Sequence, residues 1–201
     1  MIKPSYQTEP RELVGAIWER GHIRPWELFR IVSWKSAKGV ALLSLNSEGE
    51  IEEWTADALR LLKGWGGPAD LLAEIPSIEW DSWESLAGDV IGADKNHGGP
   101  SGLLRISGVG YPVATAILGF LAPNLFPVMD KWGVETIFGP GSSKKRWQHK
   151  RAYRAYAHEL VETKCAELLA IPSLRERDKF AMEVSMNSGV LVGYKPIPLP
   201  K

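Results

Sequence analysis

The chain has 201 residues, 44% of them hydrophobic, which suffices for one good core or two small ones and argues against disorder. Its apolar stretches, such as Val113 to Leu121, fall well short of the roughly 20 residues of a membrane span; Met1 to Pro10 is polar rather than signal-like; and the single cysteine, Cys165, excludes an intrachain disulfide framework and a four-cysteine zinc or iron–sulfur site. The formal net charge of zero hides an asymmetry, since residues 1–100 carry 10 Lys+Arg against 16 Asp+Glu and residues 101–201 carry 14 against 8, so a soluble intracellular protein with a basic second half is expected.

Pro10 to Arg20 sets Leu13, Val14, Ile17 and Trp18 at helical spacing and predicts the first helix. Past Gly21-His22, Pro25 opens a second helix through Trp34, and a third is expected from Ser36 to Leu45, with Asn46-Ser47 as punctuation. Ile51, Trp54, Ala58, Leu59 and Leu62 hold a helical period from Glu50 to Lys63, which Gly64 to Pro68 ends. Asp70 to Glu74 reads as one short turn, Asp81 to Ile91 as a helix and Gly92 to Pro100 as a polar, Gly-rich loop. Trp147 to Leu169 reads as one long amphipathic helix, Ser173 as the cap of another running to about Met186, and Leu191 to Pro200 as an extended tail on the surface. No strand alternation, internal repeat or low-complexity tract is present. The expected fold class is therefore all-α, with roughly ten helices.

The most informative stretch runs from Ser101 to Leu121 and reads as a short helix, a Gly108-Val109-Gly110 hairpin and a second helix. Both glycines suit a tight turn, because a residue without Cβ accepts positive φ and lets another backbone approach. Pro112 sits where a starting helix has no use for an N–H, and Leu103, Leu104, Ile106, Val113, Ile117 and Leu118 can lock the two helices together. The free N–H groups of the second helix suit a phosphate, which makes Gly108, Val109, Gly110 and Tyr111 candidate DNA-binding residues. Beyond the hairpin follow Pro123-Asn124-Leu125-Phe126-Pro127-Val128-Met129 and then Asp130, at the start of another helix.

Hairpin, Pro-rich bridge and aspartate together resemble the helix-hairpin-helix, Gly/Pro-rich loop, Asp signature of the base-excision DNA glycosylases, over residues 103–136. The resemblance implies a helical enzyme of two closely joined lobes, the hairpin lobe over about 36–139 and the second formed by about 1–35 and 140–201, with the active site in the cleft between them. It also implies a double-stranded DNA partner, a monomer, a cytoplasmic or nucleoid-associated location, and hydrolysis of an N-glycosidic bond in DNA repair by a carboxylate at Asp130. The chemistry is coherent. Breaking the C1′–N bond builds positive charge on the deoxyribose, and a fixed anion stabilises that state more than the neutral ground state. Asp130, at a helix start, is also placed to orient or deprotonate water.

The chain departs from the family in two places. Where bifunctional members carry a lysine on the second hairpin helix, this chain has Pro112, which implies a monofunctional enzyme finished by water; the four cluster-binding cysteines are missing too. No cofactor is required, although the resemblance allows a sodium or potassium ion at the hairpin carbonyls. Arg30 falls where the adenine-excising branch has a glutamate, so adenine opposite an oxidised guanine is not the expected substrate. His22, His97, His149 and His158 form no ligand spacing, and no divalent metal is assigned.

An extruded base needs stacking faces, for which Trp34, Trp26 and Trp132 are the candidates among nine tryptophans. Lys35, beside Trp34, is a candidate for the site as nucleophile, phosphate contact, wedge or base reader. The run Lys144, Lys145, Arg146, Lys150, Arg151 and Arg154 either meets DNA, with the first five as candidate contacts, or is a solvated helix face. Two other functions compete: a non-catalytic helix-hairpin-helix DNA-binding protein, and a bifunctional glycosylase/lyase using Lys35.

Overall fold

The computed structural model describes residues 10–35, 37–66, 75–92, 101–187 and 189–201, so the expected turn at Asp70 to Glu74, the loop body after Gly92, Ser36 and His97 lie outside the described residues. Among the described residues there are ten α-helices and no strand, as the helical periodicity predicts. We number them α1 Val14–Arg20, α2 Pro25–Lys35, α3 Ala37–Leu43, α4 Glu48–Lys63, α5 Trp80–Ile91, α6 Tyr111–Leu121, α7 Lys131–Phe138, α8 Lys150–Val161, α9 Ala166–Leu169 and α10 Leu174–Met186. A 3-10 turn, Arg11–Leu13, leads into α1.

Helix α6 organises the packing. All of its residues except Pro112 are buried, so it has no polar face and must be enclosed on every side. Helices α1, α2 and α5 all pack against it. The indole of Trp18 on α1 donates to Leu121 O at the end of α6 (3.0 Å), and that of Trp83 on α5 donates to Leu125 O just beyond it (3.0 Å). The core is one contiguous cluster reaching from Leu13 to Leu191.

Local chemistry sets the helix ends. Helix α4 begins two residues earlier than the apolar period indicates, because Ser47 and Glu50 form a reciprocal capping box. The expected long helix from Trp147 to Leu169 is instead two. Trp147 is buried and its indole donates back to Ser143 O, His149 is extended and its Nδ1 caps Ala152 N–H, and Thr163 Oγ1 accepts from Cys165 N–H to begin α9 anew. Ser173 precedes α10 but its side chain does not cap it; both Ser173 Oγ and Leu174 N–H donate to Asn124 Oδ1. The tail is extended and packed, with Ile197 N–H and Tyr194 O–H both donating to Ile137 O. Among the described residues no helix is long and apolar enough to cross a membrane.

The first half of the hairpin is a 3-10 turn, Gly102–Arg105, rather than an α-helix. It is tied to α4 by Arg105, which pairs with Asp57 (3.1 Å) and lies over the Trp54 ring. The tip is tied to the end of α3 by Asn46, which accepts from Ser107 N–H (2.8 Å) and donates to Ser107 O (3.1 Å). The two glycines have different roles. Gly108 has φ +94°, and a Cβ there would lie 2.3 Å from Gly39 O on α3, so the close backbone neighbour is the protein itself. Gly110 has φ −87° and open space around it, and acts as the N-cap of α6. Gly108→Ala should therefore cost about 2–4 kcal/mol from the left-handed φ and the clash, whereas Gly110→Ala should cost less than about 1 kcal/mol. Urea denaturation of both variants checks the contrast.

Candidate active site

The segment from Leu125 to Met129 has no regular structure, yet side chains from four helices hold it. Leu125 O accepts from Trp83 on α5; Pro127 O accepts from the Tyr153 hydroxyl on α8 (2.8 Å); Val128 N–H donates to Asp178 on α10 (3.0 Å); and Met129 N–H donates to Thr115 Oγ1 on α6 (3.2 Å). A buried loop must have its backbone groups satisfied in this way. The next residue, Asp130, is thus delivered by a fixed strut.

Asp130 is extended at the N-terminus of α7, and its Oδ1 accepts from Trp132 N–H (2.9 Å) and Gly133 N–H (3.0 Å). The capping residue anticipated from the sequence is therefore present in full. Its Oδ2 meets Lys35 Nζ at 2.9 Å, across 95 residues of sequence, and the two side chains are only 13% and 16% exposed. Lys35 is the last residue of α2, so it reaches the carboxylate from a helix C-terminus. An anion at one helix start and a cation at another helix end each sit at the favourable pole of their helix.

Behind this pair lies a cluster that sequence reasoning missed. Asp178, fully buried, accepts from Val128 N–H, from the Tyr156 hydroxyl (2.8 Å) and from the Arg175 guanidinium. Burial pushes its carboxyl above the ordinary range; Arg175 and Lys35 oppose that, and the charge of Asp130 adds to it. Burial, with the charges of Asp178 and Asp130, pushes the Tyr156 phenol well up, so it remains a hydrogen-bond donor. Arg175 also lies over the half-buried Trp34 ring, 5.1 Å from its centroid. The sequence held a signal for this group: Leu174, Asp178 and Ala181 share the buried face of α10, so a carboxylate stands on an apolar stripe.

Of the three tryptophans singled out from the sequence, only Trp34 sits beside the cluster in this way. Trp132 follows the cap and is 36% exposed under Lys131 Nζ, which lies 4.3 Å from its ring and is thereby turned to the ring rather than to the carboxylate. Trp26 is half exposed at the first turn of α2, about 13 Å along the helix axis from Lys35, and so does not belong to this group.

The hairpin and part of the basic run meet across an open groove of about 480 Å³, with Leu104, Val109, Gly110 and Tyr111 on one side and Ser143, Lys145, Arg146, Trp147 and Gln148 on the other. Val109 and Tyr111 are largely buried, and burial pushes the Tyr111 phenol up. Lys144, Lys150 and Arg151 are exposed outside the lining, while Arg154 is engaged by Asp81 (2.7 Å) and Glu84 (3.0 Å). Tyr111 and Thr115 stand four residues, about one helical turn, apart on α6, one at the groove and the other bonded to Met129, the residue before Asp130. A monovalent ion at the hairpin would find Ile106 O and Ser107 O already accepting from Val109 N–H and Asn46, each with one lone pair left.

The Lys35–Asp130 contact should be energetically real, being charge-assisted and mostly withdrawn from water. A double-mutant cycle of Lys35→Met and Asp130→Asn, read by urea denaturation, should give a coupling of about 1–3 kcal/mol, with Asp130→Asn still capping α7. Comparison with protein families, with curated proteins and with solved structures finds no match to this chain, so the site is interpreted from its residues and their geometry.

Proposed function

We propose that the protein is a DNA N-glycosylase that releases a damaged, mispaired or modified base flipped out of duplex DNA, with Asp130 stabilising the oxocarbenium-like transition state and positioning water. The observation that carries this reading is the doubly capped carboxylate of Asp130, held beside Lys35 at the end of a pegged loop one helical turn from the hairpin. A carboxylate held by two backbone N–H groups is preorganised and need not reorient as charge develops on the sugar. The groove adds support, since it sets the exposed Gly110 at the start of α6 with Lys145 and Arg146, a combination suited to a phosphate backbone.

One observation favours a second reading of the last step. Lys35 Nζ lies 2.9 Å from Asp130, so an amine stands at the carboxylate although the hairpin position holds Pro112. In this reading Lys35, its proton passed to Asp130, forms the bond to C1′ as the C1′–N bond breaks and the base leaves with a proton. The C1′–O4′ bond then breaks, O4′ taking the proton that the lysine nitrogen sheds, to give an imine between Lys35 and C1′; this loses a proton from C2′, the C3′–O bond breaks, the 3′ phosphate departs, and water releases the lysine.

The test is a panel of duplexes bearing oxidised, alkylated, deaminated, mismatched and bulky modified bases, assayed for abasic sites. Wild-type protein should generate abasic sites on at least one duplex, and Asp130→Asn should reduce the single-turnover rate by about 100-fold or more with DNA binding retained. Wild-type rates in that variant overturn the role of Asp130. DNA binding with no base release on any duplex favours the non-catalytic reading. Borohydride trapping then separates the two finishes: an intact strand without adduct means water, and an adduct lost in Lys35→Ala means the lysine.

Binding is tested separately. Lys145→Glu with Arg146→Glu should weaken binding to all duplex sequences alike and make the slope of log affinity against log salt shallower by roughly 2, since each phosphate a cation neutralises contributes about 0.9 to that slope. An unchanged slope would return these residues to an ordinary solvated surface.

A further inference from the structure

The buried cluster on α10 contacts chain neighbours of both partners of the Lys35–Asp130 pair. On the carboxylate side, Asp178 holds Val128 N–H, two residues before Asp130, and orients the Tyr156 hydroxyl. That hydroxyl presses on the first turn of α7: a Cβ on Gly133 would lie 2.1 Å from Tyr156 Oη, and Gly133 N–H is one of the two donors to Asp130 Oδ1. On the amine side, Asp178 binds the Arg175 guanidinium, which stacks on Trp34, the residue immediately before Lys35. One side chain, 2% exposed, therefore reaches the backbone on both flanks of the carboxylate and the aromatic residue next to the amine.

Resting on the glycosylase reading above, we propose that Asp178 is a positioning residue for the Asp130–Lys35 pair, fixing the carboxylate through Val128 and Tyr156–Gly133 and the amine through Arg175–Trp34. A carboxylate this deeply buried is costly unless its bonds are all made, so its three partners are held as tightly as it is. The alignment of the pair is then set from α10, the last helix of the chain, which itself contributes no group to the reacting atoms. Arg175 offsets the charge of Asp178 and Lys35 that of Asp130, so each carboxylate of the cluster has its own cation.

Asp178→Asn keeps the shape but replaces an acceptor oxygen by a donor and removes the partner of Arg175. It should lower the single-turnover base-release rate by about 10- to 100-fold, as displacements of about 1 Å do, while the Kd for duplex DNA changes less than about 2-fold. Independently of activity, hydrogen exchange at the Trp132 and Gly133 amides should accelerate by about 10-fold or more relative to amides of α4, since their acceptor loses its support. Tyr156→Phe, which removes only the hydroxyl, should do the same to a lesser degree and serves where the Asn variant does not fold. Wild-type rate and wild-type exchange in a folded variant overturn the proposal, and so does uniform acceleration of all amides, the sign of a merely stabilising residue. Wild-type protein that releases no base from any duplex removes the glycosylase reading instead; the exchange at Trp132 and Gly133 then still decides whether Asp178 positions Asp130.

Discussion

A helix without a polar face constrains everything around it. Because α6 buries every residue but Pro112, the chain must wrap it completely, and the wrapping elements come from both halves of the sequence. At the N-terminus of α6 enclosure ends at the hairpin, where Gly110 is exposed and Pro112 half-buried. Thr115 is the one aliphatic hydroxyl of α6, and it is spent on Pro112 O and on the backbone of Met129. The same enclosed helix thus supplies one wall of the groove at Tyr111 and, one turn later, an anchor for the loop that carries Asp130.

The candidate site is assembled from three segments far apart in sequence. Lys35 ends α2, Asp130 begins α7, and Asp178 with Arg175 comes from α10. Each ionised group would be expensive to withdraw from water alone; together they form alternating contacts in which every charge faces an opposite one. Such a cluster exists only in the folded chain, so the geometry of the pair depends on α10 staying docked on α7. That docking is reinforced outside the cluster by Thr136 Oγ1, which donates to Ala181 O (2.6 Å).

Much of this was legible in the sequence, and for identifiable reasons. Helices α2, α4, α5 and α10 follow apolar periods that solvent on one face makes unavoidable, and their expected ends lie within one or two residues of the observed ones, whereas α1 begins four residues after the expected Pro10, behind a 3-10 turn. Asp130 was legible as a helix-starting carboxylate because capping is local chemistry. The division of Trp147 to Leu169 was not, since amphipathic periodicity runs through the break and the cause is tertiary: a buried indole bonded to Ser143 O. The exchange of Ser173 for Asn124 as the acceptor at α10 is of the same kind. Gly108 and Gly110 look equivalent in sequence, but only the packing of α3 distinguishes them. Lys35 was one of several candidates because a lysine at a helix end is usually solvated, and only the contact across 95 residues gives it a partner.

Two departures from local rules lie beside the basic run and the candidate site. Lys150 and Arg151 stand in the first turn of α8, where the positive end of the helix dipole disfavours cations, beyond a segment already carrying Lys144, Lys145 and Arg146. Asp178 occupies an apolar stripe, and Arg175 is buried one turn before it. Neither arrangement helps α8 or α10 to form, so each must be offset elsewhere: at α8 by the His149 cap and the Arg154 pairs with Asp81 and Glu84, at α10 by the bonds to Val128 and Tyr156. Where local preference and observed structure disagree, the disagreement marks residues retained for something other than the helix that bears them. Here the two disagreements bracket the same loop, one beside the groove that faces the hairpin and the other behind Asp130. A surface that gathers cations and a buried frame that aligns an acid with an amine are separate requirements, and α6, with the groove at its start and Thr115 one turn on, is the element that sets their distance.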